Sequence, residues 1–517
     1  MNNTFQAPTI EYGQLAPLLL VFGAAVVGVL IEAFAPRYLR KSFQVPLTFV
    51  SLLGAFALIL VQVFVSGVPT APAAMGAVAV DGPSLFIWGV ILILAAVSVL
   101  LITDDDHFVP QAAAVPGSAE EDDALAEGAA HTEVYPLVLF AVGGMLLFAA
   151  SNDLLMMFVA LEVMSLPLYL LCGLARRRRL LSQEASVKYF LLGAFSSGFF
   201  LYGMALIYGF AGTVDLAGIS RALGTVSGQD PLLLIGTALL GVGLLFKIGA
   251  APFQAWKPDV YQGAPTPITA LMASGTLVAA FGALLRVFWV ALGNLDWDWR
   301  PVMWGVAILT MVLGAILAIT QTDIKRMLAY SSIAHAGFLL VGVIATGDAR
   351  QNADALSGIL FYLLVYGITT VGAFAVVTVV RDAGGEAGHL SRWAGLGKRA
   401  PALAGVFAFF LLAFAGIPLT SGFFGKYAVF AAAATGGALP LVIVGVVSSA
   451  VAAFFYVRVI VLMFFSEPAA DGPTIAVPSM GTAAVVTVAA AATVVLGVFP
   501  EPVLRLADQA ASTLFIR

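Results

Sequence analysis

The chain holds a single cysteine, Cys172. This excludes an intramolecular disulfide and leaves no thiolate cluster for zinc or iron–sulfur. Four histidines are too few and too scattered to pair on haem. There is no Walker loop and no GxGxxG opening a strand–helix unit, so no phosphate cradle is indicated. Charge is scarce: Asp, Glu, Lys and Arg make up 10% of the residues, against about 25% in soluble proteins. The stretch MNNTFQAPTIEYGQLAP lacks the basic region of a cleaved signal peptide, so the first apolar segment is expected to be retained. The net charge of -5 says little about partners, and nothing points to nucleic acid.

Apolar residues fill the space that charge leaves, at 61% of the chain. Many runs reach 18 residues or more, each long enough to cross a bilayer as a helix. The fold class is therefore an all-α integral membrane protein. Fourteen spans are expected, at 15–35, 44–66, 83–103, 134–150, 153–173, 185–211, 231–251, 265–292, 301–320, 326–345, 353–380, 401–434, 438–465 and 481–500. With the N-terminus outside, fourteen Lys and Arg fall in cytoplasmic connections and five in outer ones. The excess of basic residues inside favours that orientation, with both termini outside. Residues 104–133 are acidic, rich in Ala and Pro, and poor in large apolar residues. They read as a mobile cytoplasmic insertion.

Two spans are interrupted. The seventh runs through KIGAAPFQAWKPDVYQGAP and the twelfth through FAGIPLTSGFFGKY. Proline removes a backbone hydrogen bond, and hydrocarbon tolerates such a break only where protein or water re-satisfies the backbone. The two breaks lie five spans apart, so the spans run in opposite directions. That predicts inverted five-helix repeats with the functional path near their interface. The expected organisation is three helices in 1–103, the acidic loop at 104–133, one repeat at 134–292, the second at 301–465 and a last helix at 481–500.

Three ionisable residues sit deep in apolar runs: Glu162, Lys247 and Lys426. A charge at the centre of a bilayer costs roughly 2.5–3.5 kcal/mol on insertion scales, so charges kept there pair, face water, or carry protons or ions. A carboxylate and a lysine can tune each other's proton affinity. The alternatives are a static interhelical ion pair, a snorkelling lysine and an inert wet crevice. Lys188 follows Glu184 by four residues and reads either as an interfacial salt bridge or as a relay. The run TDIKRMLAYSSIAHAGF offers Lys325, Ser331, Ser332 and His335, an imidazole suited to passing protons or to bonding across helices. Glu32 is expected to partner Arg37, Asp259 to partner Lys257, and Arg286 and Arg458 to snorkel or pair locally.

The stretches EASVKYFLLGAFSSGFFLYGMALIYG, FKIGAAPFQAWKPDVYQGAPTPITA, TDIKRMLAYSSIAHAGF and AGIPLTSGFFGKY resemble the antiporter-like membrane subunits of respiratory complex I. The resemblance covers about residues 134 to 465. It implies fourteen core helices, two inverted five-helix repeats and a mid-membrane row of protonatable residues. By motif, Glu162 matches the fifth-helix glutamate, Lys247 the seventh-helix lysine and Lys426 the twelfth-helix exit residue. Lys188, Lys325 and His335 fall on positions that are polar in the family. One position departs: relatives often carry an eighth-helix lysine in a pattern like ATKIAAFGA, where this chain reads SGTLVAAFGA with Leu277. Water and His335 are expected to bridge that gap.

The resemblance implies a proton-translocating subunit of NADH:quinone oxidoreductase in the bacterial cytoplasmic membrane, packed against other membrane-arm subunits and lipid. It implies no cofactor on this chain, with FMN, iron–sulfur clusters and quinone elsewhere in the complex. The alternatives are a subunit of a multi-subunit cation/proton antiporter and a transport-inactive spacer, for which Leu277 is the main support.

Overall fold

The computed structural model describes residues 10–103, 119, 123, 131–174, 179–225, 230–345, 349–382, 385–468, 472–513 and 515. The acidic insertion therefore lies almost wholly outside the described residues. Elsewhere the chain is nearly all helix: α1 Tyr12–Phe34, α2 Arg37–Val61, α3 Gly82–Ile102, α4 Val134–Ala150, α5 Leu154–Cys172, α6 Arg179–Ala211, α7 Asp230–Ile248, α8 Trp256–Gly263 and α9 Thr266–Ala291. These are followed by α10 Asp296–Ile319, α11 Ile324–Ile344, α12 Ala349–Val379, α13 Pro401–Ala415, α14 Ser421–Thr435, α15 Leu439–Phe465, α16 Met480–Val498 and α17 Glu501–Ser512. Among the described residues, 12 helical segments are long and apolar enough to cross a membrane, and Val134–Ala150 and Pro401–Ala415 are shorter apolar helices. Together they fall on the expected spans, and the seventh and twelfth are broken as expected.

Burial sorts the helices into layers. The apolar stretches of α9, α11 and α12 are covered almost all round. Those of α1, α2, α15 and α16 expose large apolar side chains such as Val26, Val50, Phe454 and Val488. An apolar outer face is what lipid requires, and helices apolar on every side belong at the centre.

The two sets of five helices repeat the same wiring. α4 packs on α5 and on α9; α10 packs on α11 and on α15. α6 packs on both pieces of the first broken helix, and α12 packs on both pieces of the second. The starts of α5 and α11 match bond for bond. Asp153 caps α5 by accepting from the Met156 N–H at 2.6 Å, and Asp323 caps α11 by accepting from the Arg326 N–H at 3.1 Å. Such a cap satisfies donors that the first turn leaves free. Leu154 N–H bonds Val214 O and Leu216 N–H bonds Asn152 O; Ile324 N–H bonds Gly388 O and Leu390 N–H bonds Thr322 O.

These two anchor points lie on opposite faces. On the first, Val78 bridges Ser151, Asp153 bridges Asp215, and Glu11 at the start of α1 accepts from Ala74 N–H at 2.9 Å. The C-terminal helix α17 packs against α3 on that face too, with Thr513 and Ala510 close against Gly82. On the other face a small sheet joins β1 Val380–Asp382, β2 Gly385–Glu386 and β3 Thr474–Ile475. Both ends of the described chain thus share one face.

Two expected placements, those of Glu32 and Arg286, are corrected. Glu32 accepts from Arg40 at 3.2 Å and from Gln44 at 2.8 Å, because residues 37–44 wind back along α1 and bring these two into reach. Arg286 neither snorkels nor pairs locally: it is fully buried, donates to Asp81 at 2.8 Å and to Ala149 O at 2.8 Å, and so ties α9 to α3 and α4. A guanidinium can be buried there because its Nε and Nη2 donors meet fixed oxygens, while Nη1 has no hydrogen-bond partner among the described residues. Arg458 is exposed and donates to Ile319 O, at the end of α10, at 2.8 Å, in keeping with a snorkelling side chain.

Candidate functional site

The first break follows from GAAP. Gly249 takes φ +76°, a conformation that favours glycine, and Pro252 cannot continue the helix. The Gly249 N–H bonds Leu245 O and Phe246 O, and the Ala250 N–H turns back to Leu245 O. This closes the end of α7, yet carbonyls of its last turn still face the gap. The second break copies the first. Gly416 takes φ +83°, its N–H bonds Leu412 O and Ala413 O, and the Ile417 N–H turns back to Leu412 O.

A lysine plugs each break. Lys257, from the first turn of α8, reaches back and donates to Ile248 O at 2.7 Å. Lys426, from α14, reaches back and donates to Phe414 O at 2.8 Å and Ala415 O at 3.0 Å. A cation is favourable at a helix C-terminus, where exposed carbonyls concentrate negative charge. Lys257 is 2% exposed and Lys426 6% exposed. Lys257 also donates to Ser332 at 3.0 Å, and Lys426 to Ser449 at 2.7 Å.

The expected Lys257–Asp259 pair does not form, because the break turns α8 and carries Lys257 inward. Asp259 instead bonds Lys188 at 2.6 Å and Arg326 at 2.5 Å. Burial raises the Asp259 carboxyl; the hydrogen bonds from Lys188 and Arg326, with their charges, outweigh burial and hold it below its ordinary value. Lys188 also bonds Glu184 at 2.6 Å and is 41% exposed, so it sits in this partly wet network. Lys325 is buried, bonds Ala264 O at 2.8 Å and Thr266 at 3.0 Å, and pairs with Glu386 at 3.3 Å. It thereby pins the end of α8 and the start of α9 to the small sheet.

Lys247 lies in the last turn of α7 and is 4% exposed. It donates to Ser165 of α5 at 2.5 Å, and the rings of Tyr169 and Tyr189 lie 5.6 and 5.4 Å from its ammonium. Glu162, one turn before Ser165, acts on the Lys247 charge without a direct ion pair. Its buried Oε1 has no hydrogen-bond partner among the described residues. A carboxylate oxygen aimed at no protein donor is a place for water or for a moving proton.

The centre is occupied by α11. Ser331 hydrogen-bonds the Tyr456 hydroxyl, Ser332 accepts from Lys257, and His335 is buried one turn further on. His335 Nδ1 meets the Tyr362 hydroxyl at 2.7 Å, and Nε2 meets the Tyr456 hydroxyl at 3.3 Å. The Lys257 and Lys426 charges both act on this imidazole. Leu277, 2% exposed, packs in the apolar core with no group able to carry a proton.

The sequence-predicted residues thus divide. Glu162, Lys247, Ser331, Ser332, His335 and Lys426 line one buried band across the break sites. Lys188 and Lys325 lie with the α8 and sheet anchors. Lys257, Ser165, Ser449, Tyr362 and Tyr456 join the band and were not singled out. Lys257 carried a signal, a charge five residues after Pro252; the hydroxyl groups carried none. Among the described residues, no cluster of three or more His, Cys, Asp or Glu could hold a metal ion.

A buried row of amines, an imidazole and hydroxyls, held across two oppositely directed broken helices, defines a proton- or cation-handling membrane subunit. A family model described as "NADH:quinone oxidoreductase/Mrp antiporter, TM" matches residues 151–452, and the chain belongs to that family. It is 62% identical to NADH-quinone oxidoreductase subunit N of Rhodococcus opacus (strain B4), over 98% of this chain and 97% of the relative. It is 59% identical to the protein of that name from Acidothermus cellulolyticus, over 98% and 97%. Among solved structures, a chain of respiratory complex I from Thermus thermophilus with bound aureothin matches with TM-score 0.75 and 34% identity, over 95% of this chain and 98% of that one. A chain of the Mrp complex from Dietzia sp. DQ12-45-1b shares the fold, with TM-score 0.80 and 22% identity over 98% of both.

Proposed function

We propose that this chain is an N-type, proton-translocating membrane subunit of NADH:quinone oxidoreductase. The observation that carries the reading is the buried row itself: Glu162 and Lys247 at one end, His335 in the middle, Lys426 at the other. Quinone reduction elsewhere in the complex would alter the field at Glu162, and hence the proton affinity of Lys247. Protons would pass through Ser332 and His335 to Lys426 and leave on the face that holds both ends of the chain. That face would be the outer side of the bacterial cytoplasmic membrane. The functional halves are 134–292 and 301–465, with 1–103 and 481–500 as flanking helices. FMN, iron–sulfur clusters and the reacting quinone would reside on other subunits, so this chain would be a non-redox part of the enzyme.

The test is pumping stoichiometry in the assembled complex with Lys247→Ala. Fewer protons per NADH oxidised, with NADH oxidation retained in uncoupled vesicles, is the expected result. Unchanged stoichiometry would leave a transport-inactive spacer as the better description. The shared fold with the Mrp chain keeps a cation/proton antiporter in view. Sodium-dependent proton exchange in vesicles would favour it.

A further inference from the structure

The row has a gap where α9, the eighth span, offers only Leu277, and Lys257 stands within the same band as the plug of the first break, with no part in the proton path so far. We propose that Lys257 is the central proton carrier of the row, an amine supplied by α8, the second half of the broken seventh span, in place of one on α9.

The placement carries the argument. Lys257 bonds the carbonyl of Ile248, the residue next to Lys247, and also bonds Ser332 on the helix that bears His335. It therefore touches the neighbour of the first carrier and the helix of the next. Ser332 is seven residues along α11 from Lys325, about 10 Å deeper than the sheet anchor. The ammonium is thus well inside the protein, beyond the reach of an interfacial snorkel. Gly249 makes the approach possible: a Cβ there would lie 2.5 Å from Lys257 Cδ. In the transfer step an N–H bond of Lys257 breaks, the proton leaves towards Ser332, and a neutral amine remains. A proton from the Lys247 side re-forms the ammonium, so charge and atoms balance with no other reactant. The inference rests on the proton-pumping reading above.

The competing role is structural: Lys257 as a fixed plug for the carbonyls of α7. Lys257→Arg separates the two, because a guanidinium caps carbonyls and keeps its charge but does not release a proton. Proton-to-NADH ratio is measured in vesicles holding the assembled complex, with Lys247→Ala alongside. Lys257→Arg is expected to lose the same share of pumped protons as Lys247→Ala. The double variant Lys257→Met/Leu277→Lys, which places an amine on α9 instead, is expected to recover most of that loss. Wild-type pumping by Lys257→Arg, with Lys247→Ala impaired, would make Lys257 a plug only and leave the pumping reading intact. Wild-type pumping by both would overturn the pumping reading and this inference together. Lys257→Gln, which keeps a donor for Ile248 O and cannot carry a proton, is read in the same way where Arg prevents assembly.

Discussion

The two broken helices share backbone wiring and differ in side chains. Each ends on a left-handed glycine, Gly249 or Gly416, with the same returning hydrogen bonds. Each is plugged by a lysine from the following piece. The difference lies two residues before the glycine, where α7 carries Lys247 and α13 carries Phe414. The first break therefore holds two amines and the second holds one. Phe414 instead packs on His335 and Tyr456, with ring centroids 5.6 and 5.9 Å away. A repeated scaffold can thus be asymmetric in chemistry: one break carries a second amine, and the other presses an aromatic wall against the imidazole.

The glycines offer the strongest way to break the comparison. A β-branched residue at either must hold a left-handed backbone, at roughly 1–2 kcal/mol before crowding. A Cβ at Gly249 meets Lys257 Cδ at 2.5 Å, and one at Gly416 meets Lys426 Cδ at 3.0 Å. Gly249→Val is expected to abolish the assembled complex on native gels and Gly416→Val to reduce it. Equal amounts of complex from the two variants would show that the breaks are not graded by their lysines.

Removing a plug should cost less. Lys426→Met strands Phe414 O and leaves Ala415 O only the longer bond from Ser449 at 3.4 Å, and an unsatisfied buried acceptor costs about 1–3 kcal/mol. Lys247→Met strands only Ser165, whose hydroxyl keeps its bond to Leu161 O. The thermal inactivation temperature of the purified complex should fall further for Lys426→Met. A larger fall for Lys247→Met would mean that the first break depends more on its cation than its bonds imply.

The smallest effect sharpens the contrast between the band and its anchors. Asp259→Asn weakens the partly exposed network with Lys188 and Arg326, worth about 0.2–1 kcal/mol. The folded Asp259 value is lowered, so its contribution is complete above the unfolded value of about 3.9 and fades as pH falls through the lower folded value. The wild type should therefore exceed Asp259→Asn in stability by a constant margin from pH 5 to 8. The margin should shrink only under stronger acid, as read from unfolding midpoints at each pH. A margin that varied between pH 6 and 8 would point to a different titrating group.

Much of this architecture was readable from hydropathy, because a bilayer-length apolar run admits one backbone solution. The breaks were readable because Gly with Pro inside such a run has few other meanings. What was hidden depends on contacts distant in sequence. Lys257 lies between two apolar runs, and its place in the chain does not show that the helix breaks before it and turns it inward. Arg286 and Asp81 are 205 residues apart, and no local pattern announces their pair. The hydroxyl partners of His335 and Lys426 are ordinary residues in apolar stretches, selected only by packing.

The plug bonds have a further consequence when N–H groups are counted. An ammonium offers three donors and a neutral amine two. Lys247 has one acceptor, Lys257 two and Lys426 three. The first two can give up a proton and still serve every acceptor around them. Lys426 has no donor to spare: a neutral amine there would leave one of the three oxygens to another donor, and only Ala415 O has one at hand, Ser449 at 3.4 Å. Donors are therefore slack at the first break and fully engaged at the second, a difference that comes from the number of oxygens each broken helix leaves uncovered.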